Sequence, residues 1–368
     1  MSLLKKFPTT LLALACLGLA LPPAADAAAH KPAKTSKAPK KPAIDYSGEF
    51  VNFGQWKDVQ QFMGDLEQKD GVPVAESEKL FLELRYIDAA VQLMKPAPPG
   101  KPKNWQAYSA RFIEPKRIAA GAEFWNANRD ALARAEAQYG VPAEIIVGII
   151  GVETLYGRDM GRFRVLDVLA TLAFAYPLTP NRDARMEFFR GELEAAIVSA
   201  RQTGLDPLAL TGSYAGAVGM PQFMPGNIAR LGVDFDGDGK VDLRNSPTDA
   251  IGSVANFLVA HGWKRDDPTE LVYPATVSPE RAWEKYVGTG LEAQYRGEDL
   301  LAAGVHPASD LPPGQYGLVD LQNGSEPTEY WVGSNNFFSI TKYNRSYFYA
   351  MSVIQLGHAV KLSMKETM

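Results

Sequence analysis

The chain lacks the residues that several common chemistries require. Cysteine occurs once in 368 residues, at Cys16, inside the apolar N-terminal run. Export with cleavage after Ala27 would leave no thiol, and so neither disulfides nor thiol catalysis. Histidine occurs only at His30, His261, His306 and His358, without ligand spacing, which argues against a histidine-bound metallohydrolase. No Ser-His-Asp constellation and no phosphate-binding loop is legible, and no organic cofactor is expected. Charge of one sign is also missing: 38 Lys and Arg against 42 Asp and Glu give a net −4, so nucleic acid is not an expected partner. The run Leu11–Leu21 is too short to read as a membrane span.

The N-terminus has the parts of an export signal. Lys5 and Lys6 precede the apolar run, and Ala25-Asp26-Ala27 supplies small residues for cleavage. Residues 1–27 are therefore expected to be removed. Lipid attachment at Cys16 is the lesser alternative, because Ala13 stands where a leucine-like residue is usual and more apolar sequence follows. Residues 28–43 carry Lys31, Lys34, Lys37, Lys40 and Lys41 among alanine and proline, and read as a disordered tether.

Apolar residues make up 46% of the chain, ordinary for a globular protein. Helical spacing runs from Phe53 to Met94, through Val59, Phe62, Met63, Leu66, Leu80, Leu84, Ile87 and Val91. The proline-rich stretch after Lys95 breaks it. A second helical block spans Trp105–Tyr139, with Gly140 as C-cap and Pro142 as the first residue of the next helix. Between Asp266 and Asn335 proline and glycine rise, and the runs from Gly317 and Tyr330 alternate as strands do. Helical spacing returns after Ser346. The fold class is mainly α. The expected domains are a helical unit of residues 44–265 and 336–368, interrupted by a small mixed or β insert at 266–335.

The segment Pro142–Gly157 reads as one buried helix carrying Glu153. That residue follows Ile146, Ile149 and Ile150 by seven, four and three positions, so it shares their apolar face. It also lies near the C-terminal end, where the helix dipole opposes an anion. Both effects favour a protonated carboxyl, as proton donation to a glycosidic oxygen requires. An ion pair with Arg158 or Arg162 is the other reading of the same residue.

Glu153-Thr-Leu-Tyr-Gly resembles the Glu-Ser-x-x-Gly signature of lysozyme-like lytic transglycosylases, with Thr154 in place of serine. Gly212-Ser-Tyr-Ala-Gly-Ala-Val-Gly-Met-Pro-Gln-Phe-Met-Pro resembles the small-residue loop of that group. Tyr343-Asn-Arg-Ser-Tyr-Phe-Tyr-Ala resembles its Tyr-Asn-x-Ser-x-x-Tyr-Ala segment. The stretches from Gly148 and Asp249 narrow the likeness to the lytic murein transglycosylase B family. It covers about 50–262 and 335 onward. The resemblance implies a lysozyme-like helical core, a periplasmic location and peptidoglycan glycan strands as substrate. It implies cleavage of the β-1,4 bond between N-acetylmuramic acid and N-acetylglucosamine, with Glu153 as acid and then base, giving 1,6-anhydromuramoyl products. It implies substrate contacts for Tyr108, Arg185, Ser213, Gln222, Tyr343 and Asn344. Ala184 stands where the family has a second arginine, and extra residues surround Leu178–Asp183. Ser213 and Gln222 also read as turn residues, and Tyr343 as core beside Phe337 and Phe338. A hydrolytic muramidase and a non-catalytic wall-binding protein are the competing functions. The chain is expected to act as a monomer, with proteins of cell-wall synthesis as candidate partners.

Asp234-Phe-Asp236-Gly-Asp238-Gly-Lys240 matches the start of an EF-hand loop: alternate carboxylates, a glycine for the sharp turn and a carbonyl at Lys240. Its twelfth position is Asn245, where a bidentate acid belongs, and Asp249 is the expected replacement. Ser246-Pro-Thr-Asp249 also reads as a helix cap with an acid at its third position. Calcium with a structural role is the expected ion.

Overall fold

The computed structural model describes residues 49–96, 100 and 102–365. The export signal, the tether and Cys16 lie outside the described residues. Among those residues the chain forms fourteen α-helices and three antiparallel sheets. The architecture is a lysozyme-like helical core with a small sheet near the C-terminus.

The helix Ala143–Thr154 is the centre of the larger core. Its residues from Ile145 to Val152 are all buried, as suits a helix that is apolar all round. It lies antiparallel against the C-terminal helix Tyr347–Lys365. Two glycines make that crossing unusually close. A Cβ on Gly357 would lie 2.0 Å from the Glu144 carbonyl oxygen, and one on Gly148 would lie 2.3 Å from that of Val353. The two helices therefore touch backbone to backbone.

Pro142 is the N-cap of this helix rather than its first residue. Its φ of −57° suits a helix start, but ψ of 138° is extended. The helix also ends earlier than Gly157. Leu155, Tyr156 and Gly157 take φ of 50°, 59° and 83°, three left-handed residues in a row. The reversal drives Tyr156 back against its own helix. Its ring stacks on Phe124 at 5.4 Å, and its hydroxyl fills the space that a Cβ on Gly121 or Gly151 would need.

The two expected helical blocks are divided. The first holds the helices Lys57–Asp70, Val74–Glu83 and Asp88–Leu93, with a short strand Arg85–Tyr86 pairing Glu49–Phe50. The second holds Trp105–Ser109, Pro115–Ala127 and Arg129–Tyr139, capped by left-handed Gly140. Helices of the first block join Val165–Ala175 and Arg182–Thr203 in a second apolar cluster.

The late sheet has five strands, ordered Tyr295–Arg296, Gln315–Asn323, Glu326–Ser334, Val272–Val277 and Val305–Pro307. Its two faces serve different cores. Paired Leu318 and Val332 join Tyr273, Tyr316 and Trp283 in a local cluster, while Val319 and Leu321 join the main core. The alternation that marks a strand thus fastens the sheet to the helices. Polar ties add to it: the Tyr347 hydroxyl donates to the Gly290 carbonyl at 2.5 Å, and Lys342 pairs with Glu292 at 3.3 Å.

Candidate active site

Glu153 occupies the last turn of the central helix, half-buried beside fully buried Ile149 and Ile150. The Tyr349 hydroxyl donates to its Oε1 at 2.6 Å. Arg158 pairs instead with Glu123 at 2.7 Å, and neither it nor Arg162 bonds to Glu153. Desolvation pushes the Glu153 carboxyl up from 4.5 to about 7, and the Tyr349 hydrogen bond only partly offsets this. No second carboxylate acts on it among the described residues. The group can therefore carry a proton near neutral pH and release it within the same range.

Tyr349 belongs to the Tyr343–Ala350 motif, but sequence alone does not show that its hydroxyl reaches across the helix crossing. Its ring stacks against Tyr343 at 6.1 Å and 15°. Tyr343 packs on Phe223 and Phe257, whereas Phe337 and Phe338 pack on Tyr347. The Tyr343 hydroxyl donates to the Pro221 carbonyl at 2.6 Å. Burial and the nearby Glu153 charge hold its phenol well above its usual pKa, so it stays a neutral donor. Asn344 follows it, only 8% exposed, and its side-chain amide has no hydrogen-bond partner among the described residues.

The loop from Thr211 to Met224 brings Gln222 to the same place. Gln222 is left-handed at φ 52°, a conformation that costs a non-glycine residue about 1 kcal/mol or more. Its Nε2 donates to the Gly219 carbonyl at 3.0 Å and reaches that of Met160 at 3.4 Å, and its Oε1 has no hydrogen-bond partner among the described residues. Ser213 Oγ accepts the Ala217 N–H at 3.1 Å, so its hydroxyl closes a turn while its proton stays available. Both residues do the turn work that composition suggested.

Tyr108 and Arg185 stand apart from this group. Tyr108 lies among Trp105, Phe112 and Phe348, with the Arg111 guanidinium 4.4 Å above its ring. Phe348 adjoins Tyr349 in sequence, which ties Tyr108 to the edge of the site. Arg185 Nε donates to the Tyr176 hydroxyl at 3.2 Å, and no hydrogen bond or ion pair joins it to Glu153.

The acidic loop folds around its own backbone. Asp234 Oδ1 accepts from Gly237 N–H at 2.7 Å and its Oδ2 from Gly239 N–H at 2.8 Å. Asp249, 1% exposed, accepts from Phe235 N–H at 2.8 Å and Asp236 N–H at 3.2 Å through Oδ1, and from Asp242 N–H at 2.8 Å through Oδ2. Its own N–H donates to Ser246 Oγ at 3.2 Å, so it is also the third residue of a capped helix. Carboxylate oxygens of Asp234, Asp236 and Asp249 lie within 4.8 Å of one another. Asp238 lies outside that group, and its Oδ1 accepts from Lys240 N–H at 2.9 Å. An all-oxygen set of this size suits a hard cation. Asp242, not singled out from sequence, closes the next turn by accepting Asn245 N–H at 2.8 Å.

Comparison with known proteins identifies relatives along most of the chain. A family model for a transglycosylase SLT domain matches residues 54–358. The chain is 39% identical over 333 residues to membrane-bound lytic murein transglycosylase B of Escherichia coli, covering 88% of each. Soluble lytic transglycosylase SltB1 of Pseudomonas aeruginosa superposes with a TM-score of 0.75 at 41% identity, over 84% of this chain and 99% of that one. Escherichia coli SLT35, solved in complex with calcium, superposes with a TM-score of 0.76 at 40% identity, over 88% and 99%. A family model matched over most of the chain, and a relative 39% identical over 88% of it, make this chain a member of the lytic murein transglycosylase B family, enzymes that cleave peptidoglycan.

Proposed function

We propose that this transglycosylase cleaves the β-1,4 bond between N-acetylmuramic acid and N-acetylglucosamine without water, and that Glu153 is its only catalytic carboxyl. One observation carries the reading. The Glu153 carboxyl, pushed up to about 7, has a tyrosine hydroxyl for a partner, and no second carboxylate acts on it among the described residues. Hydrolases of this bond generally pair two carboxyls, one of them to act on water or on the sugar.

In the first step Glu153 gives its proton to the glycosidic oxygen as the C1–O bond breaks. The acetamido oxygen of the muramoyl residue shares the positive charge left on C1. In the second step the Glu153 carboxylate takes the proton of the muramoyl 6-hydroxyl while that oxygen bonds to C1. A 1,6-anhydro ring closes and the acid is restored. Tyr349 supports both halves: its hydrogen bond stabilises the carboxylate between them. Asn344, the Gln222 Oε1 and the proton of the Ser213 hydroxyl are offered to the sugar, with Tyr343 behind them and Tyr108 and Arg185 farther along the strand.

The residues 44–265 and 336–368 form the catalytic unit in this reading, and 266–335 an insert. The three converging aspartates would hold calcium, the ion named for the SLT35 structure. Bound there, calcium would offset two of the three carboxylate charges and fix the loop. No described helix is long and apolar enough to cross a membrane. The export signal and the substrate together favour the periplasm.

Mass spectrometry of soluble products from purified peptidoglycan tests the reaction. Anhydromuramoyl products from wild type, absent with Glu153→Gln, are expected. Products one water heavier would make the enzyme a hydrolase with the same acid. Unchanged products from Glu153→Gln would remove Glu153 from the chemistry.

A further inference from the structure

The residue after the acid faces away from the sugar side, into the protein. Thr154 is only 1% exposed. Its Oγ1 accepts the Gly157 N–H at 3.0 Å, closing the left-handed turn that ends the helix. Its proton has two acceptors within reach. A helical threonine ordinarily bonds the carbonyl four residues back, yet Ile150 O is 3.4 Å away while Met220 O is 2.8 Å away. The hydroxyl is therefore spent on Met220, across 66 residues of sequence.

Met220 opens the turn that presents Gln222. Its N–H donates to the Leu243 carbonyl at 2.8 Å, at the end of the aspartate loop. The next carbonyl, of Pro221, accepts from Tyr343 at 2.6 Å. Gln222 then takes its left-handed φ of 52°. The bond from Thr154 is the single hydrogen bond between the helix Ala143–Thr154 and this turn among the described residues.

We propose that Thr154 is a positioning residue: its hydroxyl, by holding the Met220 carbonyl, sets where the Gln222 side chain stands relative to the Glu153 carboxyl. The inference rests on the reading of Glu153 and Gln222 as cleft residues. Adjacency makes the device direct. The residue that carries the acid and the residue that grips the opposite turn share one peptide bond, so displacement of either is passed to the other.

A double-mutant cycle reads this out. Thr154→Val keeps the shape and removes the hydroxyl, and Thr154→Ser keeps the hydroxyl. Rates on purified peptidoglycan are measured for each, for Gln222→Ala, and for Thr154→Val with Gln222→Ala, alongside thermal melts. Misplacement of a contact group costs kcat strongly, so Thr154→Val should lower kcat about tenfold, with Thr154→Ser within about twofold of wild type. In the Gln222→Ala background the same change should cost less than about twofold, because there is no side chain left to misplace. A full tenfold loss in both backgrounds overturns the proposal, and so does wild-type kcat in Thr154→Val. Should Thr154→Val fail to fold, Thr154→Ala takes its place in the same cycle. Wild-type activity in Gln222→Ala would sink the reading of Gln222 and this inference together, whereas an impaired Gln222→Ala with additive losses sinks the inference alone.

Discussion

Glu153 and Asp249 are carboxyls on two helices of one core, at opposite helix ends. Asp249 is in the first turn of Pro247–Ala260, where free N–H groups gather, and it accepts three backbone hydrogen bonds from the preceding loop. Glu153 is in the last turn of Ala143–Thr154, where only carbonyls are free, and its partner is one hydroxyl. The helix dipole runs with the first charge and against the second. Asp249 thus organises a loop through its backbone bonds, and Glu153, in the function proposed above, exchanges a proton. The same side-chain chemistry meets opposite surroundings according to which backbone groups face it.

Removing the proton carrier is the sharpest way to test the contrast. Glu153→Gln should lower kcat about 10³-fold, the scale of general acid catalysis, measured on purified glycan strands. The same variant should gain stability, which no scaffold carboxyl would allow. The native carboxyl holds its proton to about 7 and the unfolded one only to 4.5, so ionisation opposes folding increasingly as pH rises between those values. Urea melts at pH 8 should make Glu153→Gln more stable than wild type by about 3 kcal/mol, with the gap closing below pH 4.5. Asp249→Ala should act in the opposite sense. It strands three N–H groups and should cost about 2 kcal/mol, and the melting shift between chelator and added calcium should vanish with it. The smallest effect expected is that of Tyr349→Phe. Its hydroxyl lowers the acid's pKa, so its loss should move the alkaline limb of the pH–rate profile upward. A limb that moves down, or stays, would separate Tyr349 from the acid.

Much of this contrast was legible before the structure. Isoleucine spacing put Glu153 on an apolar face, and alternate aspartates announced the loop. The strands at Gly317 and Tyr330 were legible too, because alternation survives where each face meets a different core. What escaped depends on contacts between distant segments. Nothing local tells which tyrosine of Tyr343–Tyr349 reaches the acid, since the answer is set by how the helices cross. The early end of the acid helix was also hidden. Leu155 and Tyr156 are poor candidates for left-handed backbone, and the space left by Gly121 and Gly151 together with the Thr154 hydroxyl accommodates that conformation. Asp238 is a ligand candidate by position; its carboxylate stands outside the cluster of the other three aspartates and accepts the Lys240 N–H.

The glycine crossing of the central and C-terminal helices bears on how this enzyme can change. Where helices meet through side chains, a methyl gained here and lost there adjusts their separation by fractions of an ångström. Between Gly148 and Gly357 there is nothing to trim, because carbonyl oxygens already occupy the interface. The spacing of Glu153 and Tyr349 is therefore inherited whole or lost whole. In the function proposed above, the acid and its hydrogen-bond partner are thereby insulated from gradual repacking of this crossing.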